Sequence, residues 1–156
     1  MLTKAAIAEM RTLLLELRPE NLVEARLDVL IPQLTDAYAA RMGMRANVTC
    51  NCDALYRPPY PVKIAVYRIA QEALNNVAKH AGATHVTINL TVRDHSLHLA
   101  ILDDGRGFDV NAIGQECMGL AIMRERAAEI GATLTIDSEP QLGTHLFLRW
   151  SDEGNR

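Results

Sequence analysis

The sequence between residues 72 and 80 places an acid, an amide and a base on one side of a predicted helix. At about 100° of rotation per residue, Glu72, Asn76 and Lys79 fall within roughly 60° of one another. A metal-bound polyphosphate needs an oxygen ligand for Mg²⁺, a positive charge for phosphate, and a carboxylate that orders or deprotonates a nucleophile. The spacing therefore predicts a nucleotide site, and His80 is either a further phosphate contact or a simple helix-terminal histidine.

A second candidate cluster lies at the turn after a predicted strand. Asp103 ends that strand, and Gly105 and Gly107 follow it at a spacing of two. Because these glycines lack a Cβ atom, the backbone can approach a nucleotide closely. An aspartate–glycine sequence by itself indicates only a turn. Its interpretation as part of a nucleotide site depends on the polar helix face at residues 72–80, which precedes this pair of strands in the sequence. Asp104 and Arg106 are equally well explained as solvent-facing turn residues.

Two further candidate positions lie in the C-terminal half of the chain. Gly119 and Leu120 begin a predicted helix, whose free N-terminal amides can bind phosphate. Thr144 follows a turn and can hydrogen-bond near Asp103, directly or through water. By itself, a Gly-Thr pair after a turn indicates only the start of a strand. The interpretation of Thr144 as a site residue therefore depends on the other candidate positions.

The surrounding patterns predict the elements that position these residues. Apolar residues at helical spacing, with their start and stop signals, predict helices over 2–17, from near Asp28 to Gly43, over 61–81 and over 119–130. Alternating patterns predict strands over 45–51, 86–92, 97–101, 132–138 and 143–150. Asp28 is the expected N-cap of the second helix, and Pro32 is expected in or near its first turn. Residues 20–26 are interpreted as a hinge, and residues 104–118 as a mobile loop.

This order of elements predicts an α/β (α+β) two-layer sandwich. A mixed sheet of about five strands would carry three helices on one face, preceded by the amphipathic N-terminal helix. A length of 156 residues fits one domain of ordinary size. The fold class therefore follows from the alternation of helical and strand patterns along the chain.

Composition excludes several classes of partner and location. A net charge of −3 with few aromatic residues gives no basic stripe for nucleic-acid phosphates, so we expect no direct nucleic-acid partner. No apolar run reaches the ~18 residues of a membrane helix, and no signal peptide is evident. Cys50, Cys52 and Cys117 lack the paired spacing of a zinc site. We expect reduced, structural thiols and a cytoplasmic domain.

Four segments together resemble the motifs of sensor histidine kinases, within the ATPase superfamily that also contains DNA gyrase, the 90-kDa heat-shock chaperones and MutL. Residues 72–81 resemble the N box and residues 102–108 the first glycine box. Residues 118–127 resemble the second glycine box of the subfamily that pairs with LuxR-type regulators, and Gly143-Thr144 resembles the closing Gly-Thr box. One departure is Cys117, which stands where the family usually has a glycine and restricts the backbone of the lid.

The resemblance covers about residues 28–150 and implies a Bergerat-type ATP-binding fold with ATP and Mg²⁺ as cofactors. It implies that Asn76 is the Mg²⁺ ligand, with Glu72 as a base or water-orienting group, although Glu72 could instead pair with Arg68 on the helix surface. It implies that Lys79 contacts phosphate and that Asp103 accepts a hydrogen bond from the adenine 6-amino group. The other implied nucleotide-binding positions are His80, Gly105, Gly107, Gly119, Leu120 and Thr144.

The implied activity is that of a protein-histidine kinase. The domain would transfer the γ-phosphoryl of ATP to a histidine on a dimerisation domain of the same protein, for relay to a response regulator with LuxR-type output. Residues 1–21 are then a remnant of the dimerisation helix with its linker, 22–150 the catalytic domain and 151–156 a polar tail. Because the N-terminal helix contains no histidine, we expect a fragment that binds nucleotide without autophosphorylating alone. The parent protein is expected to be a homodimer, and its membrane attachment stays open.

Two other functions are compatible with the same motifs. An anti-sigma-type serine kinase would act on a separate protein, although residues 9–22 argue against it because such a kinase has no need of a preceding helix pair. A nucleotide-binding regulatory module without phosphotransfer is the other alternative, and Cys117 in the lid keeps it open.

Overall fold

The computed structural model describes residues 19–112 and 118–152 of the chain. The predicted N-terminal amphipathic helix and Cys117 therefore lie outside the described residues. The elements, in chain order, are α1 (Pro19–Glu24), α2 (Leu27–Met42), β1 (Arg45–Cys52), α3 (Tyr60–Asn76), β2 (His85–Arg93), β3 (Ser96–Asp103), α4 (Met118–Glu129), β4 (Thr133–Ser138) and β5 (Thr144–Ser151). A π-helical turn, Val77–Ala81, extends α3.

The five strands form one mixed sheet in the order β1-β2-β3-β5-β4. β1 runs parallel to β2, and the remaining neighbours are antiparallel. The β2–β3 hairpin closes through Asp94 and His95, whose φ angles of 50° and 59° are those of a type I′ turn. The predicted mixed sheet of about five strands is confirmed.

The core lies between one face of the sheet and the helices. The inward side chains of β2, such as Ile88 and Val92, are at most 3% exposed, and they join a cluster with residues of α2, α3 and α4. The opposite face of the sheet carries polar residues such as Asn89 and Thr91. The predicted two-layer arrangement is thus confirmed. Within the described ranges, every helix is too short or too polar to span a bilayer.

Helix α1 lies where the sequence predicts a hinge. Leu22 is 1% exposed and belongs to the core cluster. Lys63 of α3 donates hydrogen bonds from Nζ to the carbonyl oxygens of Val23, at 2.6 Å, and Ala25, at 3.1 Å. The hinge prediction is therefore wrong for this segment, because burial of Leu22 and the Lys63 contacts hold it against the domain.

The start of α2 also differs from the prediction. Its N-cap is Arg26, so Asp28 lies inside the first turn and Pro32 lies farther along, within the helix. The Arg26 side chain hydrogen-bonds Asp28 at 2.8 Å, and this bond holds the pKa of the Asp28 carboxyl below its usual value. The expected Asp28 cap is thus replaced by an ion pair. Gly43 ends the helix with a φ of 64°, as predicted.

Candidate functional site

A cavity of about 510 Å³ lies between α3 with its π turn, the start of α4, and the adjoining ends of β3 and β5. The structure gathers around it all but one of the residues that the sequence singles out. Gly105 is the exception, and it contacts Asp103 from outside the wall. The predicted residues that line the cavity are Glu72, Asn76, Lys79, His80, Asp103, Gly107, Gly119, Leu120 and Thr144.

The π turn directs the last residues of the long helix toward the cavity. The sequence predicts one helix to residue 81, whereas the α-helix ends at Asn76 and residues 77–81 form the wider turn. Lys79 and His80 lie on this turn and are exposed at the cavity. The carbonyl of Ala81 accepts the N–H of Arg106 at 2.8 Å. The π turn is therefore tied directly to the glycine turn after β3.

Asp103 is a buried carboxylate in the cavity wall. It is 7% exposed, and its Oδ1 accepts the N–H of Gly105 at 2.8 Å. Burial raises the pKa of this carboxyl, while hydrogen bonds from the backbone of Gly105 and Thr144 oppose the rise. A buried carboxylate is costly unless donors surround it. Asp103 is thus a strong acceptor for a donor group brought in by a ligand.

Two glycines near Asp103 adopt backbone conformations, in confined space, that residues with a Cβ atom do not tolerate. Gly107 has a φ of +56°, and a Cβ there would overlap the carbonyl oxygen of Glu139. Gly143 has a φ of +78°, and its Cβ would overlap the carbonyl oxygen of Asp103. Since both the torsion and the space exclude a side chain, these positions require glycine.

The carboxylate of Glu72 lies against the beginning of α4. A Cβ on Gly119 would overlap Oε1 of Glu72, so the two residues are in contact across the cavity. The N-terminal amides of a helix attract negative charge. The alternative partner of Glu72, Arg68, donates instead to Oε1 of Gln71 at 2.9 Å. Two segments that the sequence treats as separate motifs therefore form one wall.

Ser138 is a residue at this site that the sequence reasoning missed. Its Oγ accepts the N–H of Phe108 at 3.0 Å and donates to the carbonyl of Gly143 at 2.9 Å. The same oxygen lies 3.0 Å from Oγ1 of Thr144. Ser138 thus connects the glycine turn to the start of β5. Its only sequence signal is a small polar residue at the end of a predicted strand.

Asp104 has a structural role on the side of the turn away from the cavity. Its Oδ1 accepts the N–H groups of Thr84 and His85, both at 2.8 Å, and Oδ2 accepts the Thr84 hydroxyl at 2.6 Å. The Thr84 hydroxyl and the His85 N–H lower the pKa of this carboxyl to about 2. This aspartate therefore joins the end of β3 to the start of β2.

Asp104→Ala is expected to lower the free energy of unfolding by about 1 kcal/mol at pH 7, because three hydrogen bonds to a partly exposed carboxylate are lost. A depressed pKa contributes stability above the unfolded-state value near 4, and that stability disappears as the pH falls toward 2. Urea unfolding at pH 7 and pH 2.5 measures both effects. Asp36→Ala, on the exposed side of α2, is the matched control and should change stability by less than about 0.5 kcal/mol. An equal loss at both pH values would contradict this role.

Comparison with known proteins shows a consistent family likeness. Residues 62–154 match the model of the family described as histidine kinase-, DNA gyrase B-, and HSP90-like ATPase. The chain is 39% identical over 141 residues to the sensor protein VraS of Staphylococcus saprophyticus. This match covers 90% of the chain and 40% of VraS, so the chain spans less than half the length of that relative.

Solved structures share the fold at low sequence identity. The histidine kinase domain of the Erythrobacter litoralis EL346 blue-light activated kinase aligns with a TM-score of 0.62 and 21% identity, covering 78% of this chain and 60% of that one. Full-length ShkA, solved in complex with AMPPNP, aligns with a TM-score of 0.61 and 17% identity over 80% of this chain and 30% of that one. These structures confirm the fold. The family match over residues 62–154, together with the likeness to VraS, confirms the resemblance to sensor histidine kinases that the four motifs indicate.

Proposed function

Because this chain belongs to the histidine kinase-, DNA gyrase B- and HSP90-like ATPase family, we propose that the cavity binds ATP with adenine at Asp103 and the phosphates between α3 and α4. One observation carries the proposal: Asn76 and Asp103, which belong to different motifs, line the same cavity. ShkA, which shares the fold, was solved with AMPPNP, an analogue of ATP. The domain is of the ATP-binding type found in sensor histidine kinases.

The chemistry of Asp103 supports adenine as the base. A buried carboxylate accepts a hydrogen bond from the adenine 6-amino group. Guanine presents a carbonyl oxygen at the corresponding position, so two acceptors would meet without a proton, at a cost of about 1–3 kcal/mol. Thr144 lies beside Asp103 in the wall and is held by Ser138. We therefore expect the site to discriminate against GTP.

The residues at the other end of the cavity fit a magnesium-bound triphosphate. Asn76 offers an amide oxygen, Lys79 a positive charge, and the start of α4 free amide groups. The described residues contain no cluster of three His, Cys, Asp or Glu that could hold a metal alone. Mg²⁺ suits such a site, since it keeps several waters and takes ligands from substrate phosphates. The bound ion would neutralise phosphate charge, while Lys79 orients the phosphates.

For the whole protein, we propose transfer of the γ-phosphoryl to a histidine on a dimerisation domain. Glu72 of α3, whose carboxylate contacts the start of α4, would hold the incoming imidazole in position or accept its proton. Such transfer depends mainly on positioning and charge stabilisation. The likeness to VraS, a sensor protein, supports relay to a response regulator. From the motif at residues 118–127, we further propose that this regulator has LuxR-type output and that the domain is the cytoplasmic part of a homodimer.

Asn76→Ala is expected to reduce the enhancement of ATP affinity by Mg²⁺ about tenfold, because the ion loses its protein ligand. Affinity for ATP without Mg²⁺ should change much less. Isothermal titration calorimetry with and without Mg²⁺ measures the difference. Asn89→Ala, the same change on the open face of the sheet, is the control. If Mg²⁺ enhanced ATP affinity equally in Asn76→Ala and in the wild type, Asn76 would not be a ligand of the ion.

Phosphotransfer is tested by mixing this chain with a separately prepared helix pair that bears a histidine, together with γ-labelled ATP. We expect an acid-labile, base-stable label on the histidine. Label on a serine would instead indicate the anti-sigma-type kinase. ATP binding without any label transfer would leave only a nucleotide-binding module and contradict the kinase proposal.

A further inference from the structure

Among the described residues, strand β1 is an open edge of the sheet and lacks the features that commonly block edge pairing. In the described sheet it pairs with β2 on one side, and no strand lies on its other side. It is eight residues long, its register with β2 is continuous, and it contains neither proline nor lysine. Natural proteins commonly use such residues, bulges or short strands to block edge pairing. The opposite edge strand, β4, is shorter and carries Asp137.

The backbone of β1 presents regularly spaced hydrogen-bonding groups to the outside. The N–H of Arg45 bonds to Thr84 and the N–H of Asp53 bonds to Val92, so the odd-numbered residues face β2. Because strand residues alternate in direction, the N–H and C=O groups of the even-numbered residues point away from the sheet. These residues are Ala46, Val48, Cys50 and Cys52.

The same four residues leave apolar surface uncovered. Their side chains face the helix layer, yet all four are only half-buried. Their neighbours on β2 differ: Ile88, beside Val48, is fully buried, and Leu90, beside Cys50, is 1% exposed. An added strand would therefore cover apolar area while it satisfies the outward backbone groups.

We propose that β1 pairs antiparallel with β1 of a second copy of this chain. Outward groups must oppose outward groups, and both helix layers must lie on the same side of the joined sheet. Both conditions are met when Thr49 faces Thr49 of the second copy. Val48 then lies opposite Cys50, and Ala46 opposite Cys52, so each such pair exchanges two hydrogen bonds. A shift by one residue breaks the backbone pairing.

A register shifted by two residues would also satisfy the outward backbone groups. Only the register centred on Thr49, however, places opposite charges across the interface. With Thr49 on the two-fold axis, Arg45 lies opposite Asp53 of the second copy, and the symmetric pair forms at the other end. Both residues are exposed. Opposite charges across an antiparallel pair are stabilising, whereas like charges are destabilising. The strand is therefore complementary to itself, which is the requirement for a two-fold interface.

Disulfide trapping tests the register. In a background with Cys50, Cys52 and Cys117 replaced by alanine, Thr49→Cys is expected to form an intermolecular disulfide on mild oxidation. Directly opposed residues at a non-hydrogen-bonded pair lie about 4.5 Å apart between Cα atoms, within disulfide range. Asn51→Cys is the matched control, because its two copies would lie about 14 Å apart. Equal trapping at both positions would overturn the proposal.

A charge swap tests the interface without a cross-link. Sedimentation equilibrium of the wild-type chain should show a dimer that Arg45→Glu weakens about tenfold. Asp53→Lys should act similarly, and the double variant should recover most of the affinity. ATP affinity should stay unchanged in all variants, because no residue of β1 lines the cavity. Unchanged ATP affinity therefore shows that the variants are folded. The pairing would be refuted if the wild-type chain were monomeric at every concentration, or if neither Arg45→Glu nor Asp53→Lys changed the dissociation constant of the dimer.

Discussion

Asp103→Asn is expected to weaken ATP binding about 10- to 100-fold. The two oxygens of Asp103 accept from backbone donors and, in the proposed complex, from the adenine amine. An asparagine that keeps its oxygen toward Gly105 presents an NH₂ group to the adenine amine, and the flipped amide presents it to Gly105. In both orientations two donors meet, with a loss of about 1.5–3 kcal/mol.

Titration calorimetry with ATP and GTP measures this change together with the base preference. The preference for ATP should shrink in Asp103→Asn, since the amide NH₂ can donate to the guanine carbonyl. Asp104→Asn is the matched control, because it makes the same chemical change one residue away, on bonds to Thr84 and His85. If the two variants bound ATP equally well, adenine recognition would not reside at Asp103.

Gly107→Ala is expected to abolish measurable ATP binding and to destabilise the fold by about 3 kcal/mol or more. A left-handed alanine costs about 1 kcal/mol. The new Cβ would also overlap the carbonyl oxygen of Glu139, which belongs to the backbone and cannot rotate away. The turn would have to move, and Asp103 would move with it.

Gly131→Ala is the control for the torsion alone. Gly131 has a φ of +68°, and nothing lies within 4 Å of its added Cβ. Thermal unfolding should therefore show a loss of only about 1 kcal/mol in the free energy of unfolding, the cost of a left-handed alanine. ATP binding should be retained. Equal destabilisation by the two variants would mean that space around Gly107 is not limiting.

Much of the candidate site could be predicted from local pattern. Glu72 and Asn76 share a helix face because helical spacing fixes their relative direction, whereas Lys79 reaches the same cavity from the π turn. Asp103 and the glycines could be placed at a strand end because alternation and turn residues mark that boundary. That these two groups meet was implied by family resemblance, and the cavity they line is a property of the folded chain.

The features that sequence reasoning missed depend on contacts between distant residues. Helix α1 is held by Leu22 in the core and by Lys63, forty residues away from Val23. Ser138 connects the turn at Phe108 to the turn at Gly143 through hydrogen bonds that no local pattern encodes. The π turn after Asn76 likewise has no simple sequence signal. Tertiary contacts, rather than local propensity, determine each of these.

The hydrogen bonds from Lys63 connect the beginning of α3 to the end of α1. Lys63 and Asn76 lie thirteen residues apart on one continuous helix, about 20 Å along its axis. The same helix therefore holds α1 near one end and lines the cavity at the other. A change in the tilt of α3 would alter both sets of contacts together.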